Sequence, residues 1–361
     1  MAAYSAYRMG FEVAILEKEK NSPAGQLTHH EHVGWVDDED VLKRFAQDCN
    51  VITLENEFVD AQRLAFLEKL GKTVIPSSAT ISLIQDKFIQ KQTMNQVRVP
   101  TAAFVAIASE KDYEKVQKQL GTPFVLKSRK IGYDGYGNAL IHNKEEFKTH
   151  FPRLAGRHPH LMAEQYIPFQ MELAVMVART PAEIKTYPVV QTIQQNHICH
   201  TVLVPAPIDE GLLKQAQQLA VRCVEAVQGY GLYGIELFLG PKNEILVNEM
   251  APRPHNSGHY TMEACKTSQF ENFVRAVLGL PLGSTEMVKP HAVMINLLGK
   301  REGPGSIENW KDALSHDGVH VHVYGKKTSR VGRKMGHITM IGKDLNELLL
   351  RAKEIHEKVV I

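Results

Sequence analysis

Apolar positions recur along this chain in changing rhythms, and the changes mark its parts. Helix-spaced and strand-like stretches alternate at the start. Ala2–Met9 reads as a helix stopped by Gly10, Glu12–Leu16 as a strand, Asp38–Gln47 as a helix, Val51–Leu54 as a strand and Asp60–Leu70 as a helix. This alternation predicts a parallel sheet with covering helices. Further on, Thr80–Asn95 predicts one helix and Tyr113–Leu120 a short amphipathic one ending at Gly121. Pro123–Lys127, Leu161–Gln165 and Glu172–Ala178 read as strands, the last two joined by Tyr166-Ile167-Pro168, and Leu212–Val227 reads as a packing helix. Gly234–Leu239 and Glu244–Met250 are two more strands, and Met262–Leu278 a helix with an exit turn at Gly279–Gly283. From His291 strands dominate, at Ala292–Leu297, Val319–Tyr324 and His337–Ile341, before a closing helix over Leu345–Val359.

Composition narrows what such a chain does. With 361 residues it is long enough for two or three domains, each with its own core. A formal charge of +2 is too near neutral for a nucleic-acid partner, so anion binding must be local. Cys49, Cys199, Cys223 and Cys265 are widely spaced with no CxxC pair, which suits reduced thiols. No apolar stretch approaches the roughly 18 residues that span a bilayer. These features lead us to expect a cytoplasmic protein with neither membrane nor nucleic-acid partners.

The strand pair after residue 230 carries the sharpest chemical signal. Gly240-Pro241-Lys242-Asn243 has the composition of a tight hairpin turn, and a turn centred on Lys242 and Asn243 sets Glu236 opposite Glu249. Like charges directly opposed across an antiparallel pair repel, and burial would add to the cost of ionising both. A divalent cation removes both penalties. Magnesium, held by one or two carboxylates with nucleotide phosphates completing the shell, is the usual occupant. Two solvated glutamates on an outer face satisfy the same spacing.

Other stretches add weaker signals. In Ala251–His259, Pro252 and Pro254 fix the backbone around Arg253, His255, Asn256 and Ser257, so the loop presents side chains to something. Lys127 ends a strand shortly before Gly132, Gly135 and Gly137, a composition that would suit a phosphate cradle but lacks the Walker spacing and on its own reads better as a plain hairpin loop. Residues 325–334 are strongly basic without Asp or Glu, and their confinement to one loop favours a compact phosphate over a nucleic-acid track. His29, His30 and His32 read as solvated loop histidines. His320 and His322 share one strand face, where packing or solvation outweighs metal binding.

The segment NEMAPRPHNSGHYT, with the glycine-rich Gly132–Asn138 upstream, resembles the 5-(carboxyamino)imidazole ribonucleotide synthases, ATP-grasp enzymes of purine biosynthesis. The resemblance covers nearly the whole chain. It implies an α/β (α+β) ATP-grasp fold in three parts: a Rossmann-like N-terminal domain over 1–85, a nucleotide-binding domain over 86–283 and a small β-rich domain over 284–361. Family members begin with a strand and a Gly-Gly-Gln-Leu-Gly-like turn before the first helix, so the N-terminal domain is expected to be incomplete here.

The resemblance also implies roles. Lys87 and Lys127 would bind ATP, with Gly132, Tyr133, Asp134, Gly135, Tyr136, Gly137 and Asn138 forming a lid over its phosphates. Gln165, Tyr166 and Ile167 would form the adenine hinge assisted by Glu164, Glu172 would accept from the ribose, and Gln194, Asn248 and Glu249 would touch the nucleotide. Tyr133 and Asp134 would contact the aminoimidazole ribonucleotide, and Lys326, Arg333 and Lys334 would hold its substrate end, the last two at the 5'-phosphate. Tyr136 departs from the basic residue usual in the family. Arg253, His255 and Asn256 would hold bicarbonate and the mixed anhydride, magnesium would sit on Glu236 and Glu249, and Asp134 would orient the amine. The expected activity is ATP-dependent carboxylation of aminoimidazole ribonucleotide by a homodimer. The alternatives are another ATP-grasp ligase, such as a formate-dependent glycinamide ribonucleotide transformylase, and a nucleotide-binding protein without turnover.

Overall fold

Glu236 and Glu249 do face each other, by a route different from the expected turn. In the computed structural model, which describes residues 1–132 and 137–361, the hairpin strands are Gly231–Leu239 and Ile245–Ala251. The loop between them spans five residues, with Asn243 left-handed at φ 61°. Its register pairs Leu239 with Ile245 and Leu237 with Val247, which carried onward would set Glu236 opposite Asn248. A bulge then intervenes and pairs Glu236 with Glu249. The expected turn centre is displaced, and the bulge compensates for it. Because a bulge leaves one residue unpaired and re-aims its neighbours, Asn248 and Glu249 both line the same cavity although they are adjacent in sequence.

Among the described residues this hairpin forms one edge of a nine-stranded sheet. From that edge its order is Ile245–Ala251, Gly231–Leu239, Met171–Arg179, Val190–Gln195, Ile198–Val204, His291–Leu298, Lys334–Gly342 and Val319–Val323, with Ile184–Thr186 added beside Met171–Arg179. All these pairings are antiparallel. The sheet is continuous from the central segment into the C-terminal one, through Ile198–Val204 against His291–Leu298. One face is covered by the helix Glu210–Ala226, which buries Ala216, Leu219, Ala220, Cys223 and Val224, the stripe that a 3.6-residue period places on one side. The C-terminal strands are covered by the helix Leu345–Lys358 through Leu348, Ala352 and Ile355.

A separate four-stranded antiparallel sheet, Phe104–Ile107, Leu161–Gln165, Phe124–Ser128 and Asn138–Ile141, packs on Phe147 and Leu154 of the helix Lys144–Ala155. It brings Lys127 and Glu164 to the other wall of the cavity. The N-terminal segment has the parallel pairs Ala14–Glu17 with His30–Val33 and Val51–Ile52 with Thr73–Val74, beside helices capped by Asp38 and Asp60. No helix of the described residues is long and apolar enough to cross a membrane.

Two expected helices are each divided. Thr80–Asn95 is in fact Ser78–Ile84 followed by Lys87–Gln96. Asp86 has an extended backbone and its buried side chain accepts from the amides of Phe88 and Ile89, because a capping carboxylate satisfies donors that a continuous helix would have used internally. Met262–Leu278 is Thr261–Ala264 followed by Gln269–Val277. Between them Lys266 and Thr267 donate their amides to the carbonyls of Glu286 and Ser284, and Ser268 caps the second piece.

Asp86 also forms a fork with Arg129, at 2.9 Å to Nε and 2.7 Å to Nη2. It is 4% exposed. Asp86→Ala removes the cap and leaves the guanidinium unpaired, and is expected to cost about 3 kcal/mol; the check is a lower denaturant midpoint at unchanged slope.

Candidate active site

A cavity of about 370 Å³ opens between the two sheets and the N-terminal segment. Its most informative wall is the bulged hairpin. Glu236 receives the Asn248 amide at 3.3 Å and lies 3.4 Å from His255 Nε2. Burial works to raise the Glu236 pKa, but the His255 hydrogen bond and the charges of His255, Lys87 and Lys334 outweigh it and hold the group at about 2. Glu249 forms an ion pair with Lys87 from the first turn of the helix that Asp86 caps. Glu172, on the neighbouring strand, goes the other way. Burial and then the charge of Glu236 push it up to about 7, against a hydrogen bond from Gln194.

Opposite the hairpin lies a buried charge triad. Glu164 takes Lys91 Nζ at 2.6 Å on one oxygen and Lys127 Nζ at 2.5 Å on the other. Burial would raise the Glu164 pKa, and the two lysines more than offset it, leaving it at about 2. Burial lowers Lys91, whereas for Lys127 it is outweighed by Glu164, Glu249 and Glu236. Lys127 also reaches Asn248 Oδ1 at 3.5 Å, so triad and hairpin meet through the bulged residue. Gly132 and Gly137 approach each other beside Lys87. A Cβ on Gly137 would come within 2.4 Å of Gly132 Cα, so the two backbones approach in a way only glycine permits.

The third wall is the loop after the hairpin. Gly234 leaves room for His255, whose Cβ would lie 2.6 Å from a Cβ on that glycine. Ser257 Oγ sits 2.8 Å from His255 Nδ1, while Gln269 brackets the His255 backbone, receiving its amide at 3.1 Å and donating to its carbonyl at 2.9 Å. Arg253 forms a fork with Glu57 of the N-terminal segment, one arm at 2.7 Å. Asn256 exchanges amide hydrogen bonds with Asn296 at 2.8 and 2.6 Å, and Asn296 in turn donates to the Cys199 carbonyl at 2.9 Å.

Of the residues singled out in the sequence, Lys87, Lys127, Gly132, Gly137, Asn138, Glu172, Gln194, Glu236, Asn248, Glu249, Arg253, His255, Asn256 and Lys334 line this one cavity. Glu164 stands behind it, 2% exposed, and acts on it through Lys127. Gln165, Tyr166 and Ile167 form the connection out of the strand Leu161–Gln165, with Gln165 donating its amide to Ala103. Lys326 donates to the Lys334 carbonyl at 2.7 Å, and Arg333 donates to Thr328 at 2.6 and 2.9 Å, inside its own loop and away from the cavity lining. Tyr133, Asp134, Gly135 and Tyr136 lie outside the described residues.

Glu57, Lys91, Gln269 and Asn296 escaped notice in the sequence. A signal existed for Lys91, four residues after Lys87 and so on the same helix face. It also existed for Glu57, just past a parallel strand, where open α/β sheets place their sites. Gln269 and Asn296 had none, since their roles depend on contacts across the fold.

Chemically, the cavity pairs ammonium and guanidinium groups able to hold phosphate or carboxylate oxygens with a carboxylate pair able to hold a hard cation. Three family models match in succession: a ribonucleotide synthetase preATP-grasp domain over 1–85, an ATP-grasp domain over 92–270, and a phosphoribosylaminoimidazole carboxylase C-terminal domain over 292–351. The chain is 41% identical to the N5-carboxyaminoimidazole ribonucleotide synthase of Synechococcus elongatus, over 94% of this chain and 86% of that one. It is 39% identical to the chloroplastic phosphoribosylaminoimidazole carboxylase of Vigna aconitifolia over its whole length, but spans only 66% of that relative. Among solved structures, the carboxyaminoimidazole synthase of Aspergillus clavatus in complex with ADP and 5-aminoimidazole ribonucleotide superposes with a TM-score of 0.90 at 32% identity, covering 99% of this chain and 95% of that one.

The raised Glu172 carboxyl has a thermodynamic consequence. Between its ordinary value of 4.5 and about 7 the folded state holds a proton that the unfolded state has lost, so this group costs stability as pH rises through that window. Glu172→Gln cannot ionise and should be more stable than the wild type at pH 8 but not at pH 4.5; denaturant midpoints at the two values check it.

Proposed function

We propose a reaction for this chain from the premise that it belongs to the N5-carboxyaminoimidazole ribonucleotide synthase family of ATP-grasp ligases. It joins bicarbonate to the exocyclic amine of 5-aminoimidazole ribonucleotide at the expense of ATP, yielding N5-carboxyaminoimidazole ribonucleotide, ADP and phosphate in purine biosynthesis. The observation that supports this best is the convergence of the opposed Glu236 and Glu249 with Lys87, Lys127 and Arg253 on one cavity.

In this reading Lys87, Lys127 and the Gly132–Asn138 segment hold the ATP phosphates, Gln165 to Ile167 read the adenine edge and Glu172 receives the ribose hydroxyls. Two facing carboxylates held ionised or ion-paired at the cavity wall are the donor set that magnesium takes. Bound on Glu236 and Glu249, it would neutralise phosphate oxygens as charge builds during transfer. A bicarbonate oxygen attacks the γ-phosphorus and the bond to the bridging oxygen breaks, leaving ADP and carboxyphosphate. Arg253 and His255 hold the carboxylate end, and Asn256, fixed by Asn296, limits where it can lie. Carboxyphosphate then releases phosphate and CO2, and the amine, oriented by Asp134, attacks the CO2 carbon and loses a proton to the released phosphate. Exclusion of water at this stage prevents loss of the anhydride by hydrolysis.

Lys334 lines the cavity and would meet the 5'-phosphate, with Lys326 holding its carbonyl. Arg333 would join them by leaving Thr328. The proposal includes division at 85/86 and 283/284, a homodimer, a cytoplasmic location, and small molecules as the only partners.

ADP release measured with bicarbonate and aminoimidazole ribonucleotide, each present or omitted, tests the reaction. Release that needs both is the expected result; release indifferent to the ribonucleotide, or stimulated instead by formate and glycinamide ribonucleotide, overturns it. Glu249→Gln should lower turnover at least about a hundredfold, and near-normal turnover would contradict the role given to the hairpin.

A further inference from the structure

Away from the cavity lining, three potential ligands from distant parts of the chain meet on the C-terminal half of the large sheet. His322 and His337 are direct partners across the antiparallel strands Val319–Val323 and Lys334–Gly342. Their rings stack at 4.5 Å with planes 19° apart. Glu263 reaches them from the short helix Thr261–Ala264, and its Oε1 lies 2.8 Å from His322 Nε2. One ligand atom from each of the three lies within 4.8 Å of the others.

Hydrogen bonding inside the cluster is incomplete in a specific way. His337 is fully buried, and its Nδ1 is engaged by the Tyr324 hydroxyl at 2.9 Å. Among the described residues its Nε2 is buried without a hydrogen-bond partner, and so is Glu263 Oε2. A buried acceptor left unmatched costs on the order of 1–3 kcal/mol, and here two such atoms belong to one cluster. If His337 Nδ1 donates to Tyr324, its Nε2 carries a lone pair. That is the arrangement in which metal-bound imidazoles are usually found, one nitrogen tied to an oxygen and the other on the ion.

We propose that Glu263, His322 and His337 form a binding site for a divalent ion of the zinc class, separate from the Glu236 and Glu249 pair. Two imidazoles and one carboxylate suit zinc better than magnesium, which prefers oxygen alone. Three protein ligands leave one position open, and the exposure of His322, 24% of its side chain, supplies a way in. Ligand distances of about 2.0–2.2 Å require the cluster to draw inward, which the part-exposed His322 and Glu263 can do by side-chain rotation. The ion would fasten the exit of the loop carrying Arg253, His255 and Asn256 to the strands that flank the basic segment 325–334. Two sides of the cavity would thereby be held by one coordination shell.

Co2+ reports on this site directly, because its visible absorption responds to nitrogen ligation. Chelator-treated full chain would be titrated with Co2+, and separately with Zn2+, in excess Mg2+ and without nucleotide, so that an oxygen-only pair is already occupied. The expected result is one Co2+ per chain with visible bands, and a thermal midpoint raised by Zn2+ through mass action. His322→Gln and Glu263→Gln should each weaken uptake at least about tenfold and abolish the Zn2+ effect. Metal-free midpoints of the two variants show that they fold, and because His322 is part-exposed its replacement leaves no cavity in the core. Uptake equal in wild type and variants, or no uptake by folded wild type, would overturn the proposal and leave the cluster as an ion pair with a bridging water.

Discussion

Two carboxylates forced into register on adjacent strands are the constraint around which the rest is arranged. A sheet cannot relieve the repulsion between Glu236 and Glu249 by sliding, since a one-residue slip would turn every neighbouring apolar side chain out of the core. The relief has to come from outside the hairpin. Lys87 arrives from a helix that exists as a separate piece only because Asp86 caps it, and His255 arrives over a strand position that carries no side chain. Lys127 arrives from the opposite sheet, through Asn248. The charge arrangement and the tertiary structure are one solution to one problem.

The same logic explains why neighbouring acids behave differently. Glu236 and Glu164 are held by cationic groups and stay ionised, while Glu172, buried beside Glu236 and hydrogen-bonded by the Gln194 amide, keeps its proton until about neutral pH. Position relative to the cations, more than depth, separates them. A cavity lined by Lys87, Lys127, Arg253 and Lys334 keeps more of its positive charge for an anion when one of its carboxyls stays protonated.

Most of the fold was legible because the relevant signals are local. Caps at Asp38 and Asp60, the stop at Gly121 and the stripe on Glu210–Ala226 are properties of a few consecutive residues. The divided helices were not legible at Gln85–Asp86 or Cys265–Ser268, because apolar spacing continues through both breaks and only the competing hydrogen bonds end the helix. The opposition of Glu236 and Glu249 was anticipated from a turn centre that the chain does not use, and the bulge restored it. Much of the candidate site was visible as single residues with suitable chemistry. What fixes those residues was invisible: Glu57 on Arg253, Asn296 on Asn256 and Gln269 under His255 are contacts that no spacing rule encodes.

The fork between Arg253 and Glu57 joins residues 196 positions apart. During synthesis the chain leaves the ribosome from its N-terminus, so Glu57 emerges long before its partner exists, and Asn296, which fixes Asn256, emerges later still. The four-stranded sheet that carries Lys127 and the N-terminal segment can each gather their local contacts in that interval, but the cavity they share cannot be finished. Its completion waits for Asn296, which fixes Asn256, and for Lys334 at the start of Lys334–Gly342, so the wall those residues build stays open until the last part of the chain has been made.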